Sequence, residues 1–132
     1  MKSFEPVYKE LETLFIEKLP EYIEKVNKEH NDGIILKPFK NTMLEENCLD
    51  LPSFKLAFEQ AEYEEKDRII ENTVYEISLE IKLHTNTEKQ TIILWRYIEA
   101  INRLLNESDN NHIYTIIKIK EKKLFIKITL CL

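Results

Sequence analysis

The chain has 132 residues, of which 43% are hydrophobic and 33% are charged, and it contains one glycine and two cysteines. This length suits one domain with a buried core, which we expect to span residues 1–132. The apolar fraction excludes a disordered chain, and a single glycine excludes collagen-like sequences and glycine-rich phosphate-binding loops. No apolar run reaches the ~18 residues of a membrane-spanning helix, and the start lacks the apolar stretch of a secretory signal. We therefore expect a soluble, cytoplasmic protein.

Charge is unevenly distributed along the chain. Residues 1–111 carry a net charge of −9 and residues 112–132 a net charge of +4, which gives −5 overall. The overall acidity argues against a dedicated nucleic-acid-binding protein, because phosphate contacts need a positive surface. A small nucleic-acid-binding module that uses the basic C-terminal segment, with Tyr114 and Phe125 as stacking groups for bases, is the first alternative function.

The N-terminal region has apolar residues at helical spacing from Phe4 onward, which predicts one long helix over residues 4–31. Pro20 is expected to break or kink this helix near Lys18–Leu19, because proline has no backbone N–H to donate. Gly33 follows, and it suits a helix C-terminus that needs a residue in the left-handed conformation.

The middle of the chain contains the first predicted strands. The apolar run at 34–36 indicates at most a brief edge strand, and residues 38–52 look irregular. Apolar and polar residues alternate over 53–61, which predicts a half-buried strand. The highly charged stretch 62–68 is interpreted as a solvated, mobile connection. Strict alternation over 75–83 predicts a long strand with one dry face and one wet face.

The last third begins with a capping box at residues 87–90. It opens a second helix, whose apolar stripe consists of Leu94, Ile98, Ile101 and Leu105. Residues 112–120 and 124–132 read as two strands joined in a hairpin. The resulting order, α-β-β-β-α-β-β, predicts an α+β fold with a mostly antiparallel sheet and two helices packed on it.

The sequence contains no pattern that predicts catalysis, a metal site or a cofactor. Cys48 and Cys131 lie far apart with no histidine at zinc-ligand spacing, so we interpret them as reduced thiols, with Cys131 packed. Glu76 and Glu80 share one strand face about 13 Å apart, too far to hold one metal without a third group. A small metal-dependent enzyme that uses Glu76, Glu80 and His84 is the second alternative function.

The predicted C-terminal hairpin is apolar on both faces. Its first strand places Ile113, Ile117 and Ile119 on one face, and Tyr114 and Ile116 on the other. Either its strands are central and covered on both sides, or another subunit completes the surface, since exposed apolar area rimmed by lysines marks an interface.

Three segments together resemble a known family. The kinked helix contains Leu-Pro-Glu-Tyr-Ile at 19–23 and runs into Asn-Asp-Gly-Ile-Ile-Leu at 31–36. Leu-Pro-Ser-Phe at 51–54 leads to a strand, and Glu-Asn-Thr-Val-Tyr-Glu-Ile-Ser-Leu at 71–79 precedes Leu-Trp-Arg-Tyr-Ile-Glu-Ala-Ile at 94–101. This arrangement resembles the small tail-terminator and neck proteins of tailed bacteriophages, which are often encoded by prophages.

The resemblance implies an α+β subunit that assembles as a ring, often a hexamer, which caps the tail tube and joins it to the head. The partners it implies are sister copies and tail-tube or head-connector proteins. It also implies a location in the bacterial host cytoplasm during assembly, and then in the neck or tail of the virion.

A head-to-tail ring uses two different patches on each subunit, and complementary charge helps to fix their orientation. We expect the basic hairpin to meet the acidic connection of a neighbouring copy. The residues on the hairpin side are Lys118, Lys120, Lys122, Lys123, Phe125 and Lys127. Those on the acidic side are Glu62, Glu64, Glu65 and Asp67.

Overall fold

The structure is a computed structural model that describes residues 4–39, 52–66, 69–83, 89–107 and 112–131. It contains an N-terminal helix, a strand hairpin, a second helix and a second strand hairpin. The elements are α1 (Phe4–Thr13), a π-helical turn (Leu14–Lys18), α2 (Leu19–His30), β1 (Ser53–Lys66), β2 (Ile69–Lys82), α3 (Gln90–Glu107), β3 (His112–Lys120) and β4 (Lys123–Cys131). The four strands form one antiparallel sheet in the order β1-β2-β4-β3. The predicted α+β class is confirmed.

The N-terminal helix is continuous from residue 4 to residue 30, and its irregularity lies one turn before the predicted position. The Leu19 N–H donates to the carbonyl of Leu14, five residues earlier, so this turn is wider than an α-helical turn. Pro20 then falls in the first turn of α2, directly after the wide turn, and its fixed φ suits this position. The π-helical turn therefore lets the helix pass a proline without breaking.

The end of α2 corrects the prediction for Gly33. The left-handed residue that caps the helix is Asn31, with φ 42°, and its N–H donates to the Asn27 carbonyl at 3.1 Å. Gly33 is also left-handed, with φ 85°, but it lies two residues further on. Asparagine tolerates this conformation better than most residues, which is why it can take the capping position.

The segment at 34–36 is not a strand. The Asn27 side chain holds it instead: the amide Nδ2 donates to the Leu36 carbonyl at 3.1 Å, and the Leu36 N–H donates to Oδ1 at 2.9 Å. One side-chain amide thus satisfies both backbone groups of a buried residue, as a neighbouring strand would otherwise do.

The charged stretch 62–66 is a strand, and its interpretation as a mobile connection is wrong. β1 continues to Lys66 and pairs with β2 down to the Lys66–Ile69 pair. β1 is an edge strand, where charged side chains can point into water while the backbone stays paired on its other side. The Asp67 prediction lies outside the described residues, as do those for Cys48, for the Cys131 side chain and for the first two positions of the capping box.

The core lies between the helices and one face of the sheet. The buried face predicted for β2 is confirmed, because its inward-facing residues are all buried: Tyr75, Ile77, Leu79 and Ile81. The wet face predicted opposite to it is wrong in part, because Ser78 is buried there and Glu76 and Glu80 are half-buried. β4 contributes the matching row of Leu124, Ile126, Ile128 and Leu130. Aromatic contacts join the layers: the ring of Phe15 meets that of Phe54 at 5.1 Å, and Phe39 stacks on Tyr97 at 4.9 Å. Within the described ranges, no helix has both the length and the apolar character needed to cross a membrane.

Candidate assembly surface

The strand order places the two halves of the C-terminal hairpin in different positions. β4 lies inside the sheet, between β2 and β3, whereas β3 is an edge strand. The sequence was compatible with two interpretations of the hairpin: central strands that are covered on both sides, or a surface that another subunit completes. The first describes β4, which is central. The second fits β3, which presents an incomplete surface.

Three isoleucines of β3 are about half exposed: Ile113 at 58%, Ile117 at 47% and Ile119 at 51%. The prediction that all three share one face is wrong, because a β-bulge interrupts the pairing with β4 between Ile116 and Lys118. A bulge inserts one extra residue and so changes which face the following side chains take. Ile119 pairs with the core residue Leu124 and faces the helices, while Ile113 and Ile117 lie on the open face of the sheet.

The basic side chains predicted for the interface are exposed on this hairpin: Lys118, Lys120, Lys122, Lys123 and Lys127. Two of them have identifiable neighbours. The Lys118 ammonium lies 5.5 Å from the centre of the Phe125 ring, and the Lys123 Nζ lies 4.0 Å from the Glu80 carboxylate. Glu80 also bonds to Lys82, and these lysines lower its pKa. The open face therefore carries paired charges around a partly exposed aromatic ring.

The acidic residues predicted for the interface all fall in or next to β1. Glu62 is exposed and lies on the open face, opposite Val74. Glu62 and Lys127 line the same groove of about 260 Å³, so the fold brings this acid–base pair together within one chain. Glu64 and Glu65 are strand residues paired with Asn72 and Ile70, and their side chains lie outside the described part.

The geometry does not favour the nucleic-acid alternative. Tyr114, one of its two stacking groups, is buried, and its hydroxyl donates to the Glu10 carboxylate at 3.1 Å. Phe125 is only partly exposed and lies under the Lys118 ammonium. A base would have to displace both contacts before it could stack.

The carboxylates of the metal-site alternative have other partners. Glu76 accepts a hydrogen bond from the Gln60 amide at 2.7 Å, and Glu80 is paired with Lys82. His84, the third group, lies outside the described residues. In the part of the chain that the structure describes, no three His, Cys, Asp or Glu side chains are grouped so that they could hold a metal ion.

A groove between α3 and the β3–β4 turn was not predicted. It has a volume of about 660 Å³, and its apolar lining consists of Leu94, Trp95, Ile98 and Ile119. Trp95, which follows Leu94 of the apolar stripe in the sequence, is 63% exposed. Two features explain why the sequence did not predict this groove. The bulge that turns Ile119 toward α3 has no local sequence signal, and a tryptophan next to an apolar stripe resembles a core residue.

The exposed apolar side chains thus lie in two regions of the hairpin, the open-face isoleucines and the groove beside α3. The chain matches no protein-family model and no curated protein sequence.

Proposed function

We propose that this chain is a structural assembly protein that acts through protein–protein contacts. Its role would be that of a phage or prophage neck component, which terminates the tail tube and joins it to the head as a ring of identical subunits. The observation that carries the proposal is the edge position of β3 with three half-exposed isoleucines beside exposed lysines. Single exposed apolar residues are ordinary, but β3 exposes Ile113 and Ile117 on the open face and Ile119 on the helix side, and such a concentration of apolar area on one edge strand is typical of an interface.

The edge strand has the properties of a selective contact. Natural edge strands avoid indiscriminate pairing by means of bulges and lysines, and β3 has a bulge at Ile117 and carries Lys118 and Lys120. Its isoleucines nonetheless leave apolar area in water. A partner that covers the isoleucines and neutralises the lysines would bind, whereas an arbitrary strand would meet the bulge and the charges.

The more specific role in a phage neck is supported by the resemblance in residues 19–36, 51–54, 71–79 and 94–101. The α+β architecture agrees with what that resemblance implies for the subunit. No chemistry is needed for this role, since capping and joining require only complementary surfaces.

The test of self-assembly is the mass of the purified chain, measured by light scattering and sedimentation velocity over a wide concentration range. We expect a multiple of the subunit mass, and a lower mass for the double variant Ile117→Lys with Ile119→Lys. The matched control is Ile35→Lys, since Ile35 is an exposed isoleucine in the segment after α2. A wild-type chain that stays monomeric at every concentration contradicts the proposal.

The test of the phage role is electron microscopy of particles made without this protein. We expect separate heads and tails, and restoration of joined particles when the wild-type chain is supplied. Joined particles of normal appearance in its absence would exclude the neck role.

A further inference from the structure

The sheet ends in two edge strands, β1 and β3, and among the described residues each of them pairs with one neighbouring strand. Every strand of the sheet is antiparallel to its neighbours, so β1 and β3 run in opposite directions. Two copies that lie side by side in the same orientation therefore bring β3 of one against β1 of the other as an antiparallel pair.

The β1 edge has a bulge at Glu59, because its pairing with β2 shifts between Phe58 and Gln60. The Glu59 carboxylate accepts a hydrogen bond from the Ser78 hydroxyl at 2.7 Å on the open face, and Gln60 lies opposite Glu76 on the same face. Two consecutive residues of β1, Glu59 and Gln60, thus point to the open face, while Phe58 points to the side that carries the helices.

The β3 edge has a bulge of the same kind at Ile117. Ile117 lines the open-face groove, and Lys118 pairs with Phe125, which is on that face too. Two consecutive residues of β3 thus point to the open face, and Ile119 then points to the helix side. A bulge of this kind mismatches a regular strand, because it moves the side chains beyond it to the other face.

The two bulges match each other in one antiparallel register, in which Ile117 lies opposite Gln60. Directly opposed residues of an antiparallel pair must point to the same face. In this register the requirement is met at every position, from residue 113 opposite residue 64 to residue 120 opposite residue 57, because both strands add their extra residue at the same level. A regular strand would meet it on only one side of the bulge.

The side chains that this register brings together are complementary on both faces. On the helix side, Ile119 lies opposite Phe58, and each is about half exposed in the single chain. On the open face, Lys118 lies opposite Glu59, and both are exposed. The hydrogen bond from Ser78 occupies one oxygen of the Glu59 carboxylate, which can accept further hydrogen bonds.

The other charged side chains of the two edges do not meet like charges within the paired stretch. Lys120 lies opposite Ala57 and diagonally across from Glu59, while Glu62 lies opposite Thr115. Lys55 falls beyond the last pair, at the level of the β3–β4 turn, which carries both Glu121 and Lys122.

We infer that β3 of one copy pairs with β1 of a second copy, bulge against bulge, so that the sheet continues from subunit to subunit. This inference rests on the proposed function and specifies the contact between sister subunits. Backbone hydrogen bonds between the strands supply affinity, and the side chains on the two faces supply selectivity. Because the two edges are different surfaces, the contact is head-to-tail, and repetition produces a ring if the rotation closes and a filament if it does not.

The first test exchanges the charges of one opposed pair. Lys118→Glu alone and Glu59→Lys alone each place like charges across the contact, so self-association, measured by sedimentation velocity, should weaken by about tenfold or more. The variant that carries both changes should recover the association of the wild type. Lys118 and Glu59 lie at opposite edges of the sheet, so this recovery cannot arise within one chain.

The matched control for the exchange is Lys118→Glu with Glu24→Lys, which has the same net charge but reverses an exposed carboxylate on α2. It should remain as weak as Lys118→Glu alone. An exchange variant that stays as weak as the single variants overturns the inference, as does a control that recovers equally. Circular dichroism of each variant should match that of the wild type.

Cross-linking tests the register without changing a charged pair. Thr115→Cys with Glu62→Cys places two thiols at directly opposed positions of different copies, so oxidation should give a ladder of covalent oligomers. Thr115→Cys with Lys55→Cys should give no ladder, because Lys55 lies beyond the paired stretch. The single variants control for Cys48 and Cys131. If the Thr115–Glu62 variant forms no ladder beyond that of its controls, the inference is wrong.

The failure of this inference differs from the failure of the proposed function. If the wild-type chain assembles, but the charge exchange does not recover association and no ladder forms, assembly stands and the edge contact is wrong. If the wild-type chain is monomeric at every concentration, both are wrong.

Discussion

The Arg96 guanidinium binds the Asp32 carboxylate through both terminal nitrogens, with Nη1 2.9 Å from Oδ1 and Nη2 2.5 Å from Oδ2. This bidentate pair joins the turn after α2 to the first half of α3. Further pairs continue the contact along the two helices, namely His30 with Glu99 and Arg103 with Glu29 and Glu99. The two helices that cover the sheet are thus joined by charged side chains as well as by their apolar faces.

The Asp32–Arg96 pair predicts a dependence of stability on pH. The hydrogen bonds from Arg96 hold the pKa of Asp32 well below its usual range. A carboxylate with a lowered pKa in the folded state stabilises the fold above its unfolded pKa of about 3.9, and the contribution is lost as the pH falls further. We expect Asp32→Asn to lower the thermal midpoint by several degrees at pH 7, and this difference to shrink below about pH 4.

The control for that measurement is Glu24→Gln, which removes an exposed pair with Lys28 one helical turn away. Exposed pairs of this kind contribute little to stability, so the control should match the wild type at every pH. If the difference in thermal midpoint between Asp32→Asn and the wild type stays constant down to pH 2, the charge of Asp32 does not stabilise the fold.

The Asn27 amide predicts a specific loss of stability. Asn27→Ala leaves the N–H and carbonyl of buried Leu36 without their side-chain partners. A buried backbone group that loses its hydrogen bond costs about 1–3 kcal/mol, so we expect a decrease in that range in the free energy of unfolding, measured in urea. Asn27→Asp keeps the acceptor and loses the donor, so its stability should lie between those of the wild type and the alanine variant.

The Tyr97 hydroxyl predicts a loss of stability at alkaline pH. It donates to the Lys37 carbonyl at 2.5 Å, and burial raises the pKa of Tyr97 to about 12. A group whose pKa is raised on folding stabilises the fold below its unfolded value of about 10, and the contribution is lost as the pH rises toward the folded value. The wild type should therefore lose stability between about pH 10 and 12.

Tyr97→Phe isolates this effect. At pH 7 the variant should be less stable by about 1 kcal/mol, because it loses one hydrogen bond. Between about pH 10 and 12 its stability should fall less than that of the wild type, since it lacks the ionising hydroxyl. Stability is measured by unfolding in urea at each pH. If the free energy of unfolding depends on pH in the same way for the two proteins, this assignment is wrong.

The lysines of the β3–β4 turn predict salt-dependent assembly. Lys122→Glu with Lys123→Glu should weaken self-association, and the weakening should be greatest at low salt, because exposed charges are screened as the ionic strength rises. Lys18→Glu, on the N-terminal helix, is the control. Sedimentation that the turn variant leaves unchanged would count against a role for these lysines.

Much of the sheet could be predicted because its apolar pattern coincides with its burial. The alternation over 75–83 identified β2, and every core position from Tyr75 to Ile81 is buried. The far half of β1 could not be predicted, because the charges of residues 62–66 resemble those of a loop. Its pairing with residues 69–74 belongs to a local hairpin, but the Asp-Arg sequence at 67–68 lacks the glycine that marks most two-residue hairpin turns.

The candidate surface was predicted only in part. The hairpin and its lysines were identified, because charge and apolar residues are concentrated in the last part of the sequence. The groove between α3 and the β3–β4 turn depends on the bulge at Ile117, which changes the face of Ile119, and a shift of one residue in a strand has no signature in a single sequence. The pairing of Arg96 with Asp32 likewise joins positions that are distant in the chain.

The π-helical turn at Leu14–Lys18 sets the rotational phase of the N-terminal helix. Successive α-helical residues are rotated by about 100°, so the extra residue of this turn realigns everything before it by that angle. The realignment brings Val7 and Leu11 onto the buried side that Leu19 and Ile23 occupy in α2. Loss of one residue between Leu11 and Leu19 would consequently convert this turn to an α-helical one and leave the two buried rows aligned, whereas insertion of one more residue would rotate the first turns of the helix away from the core.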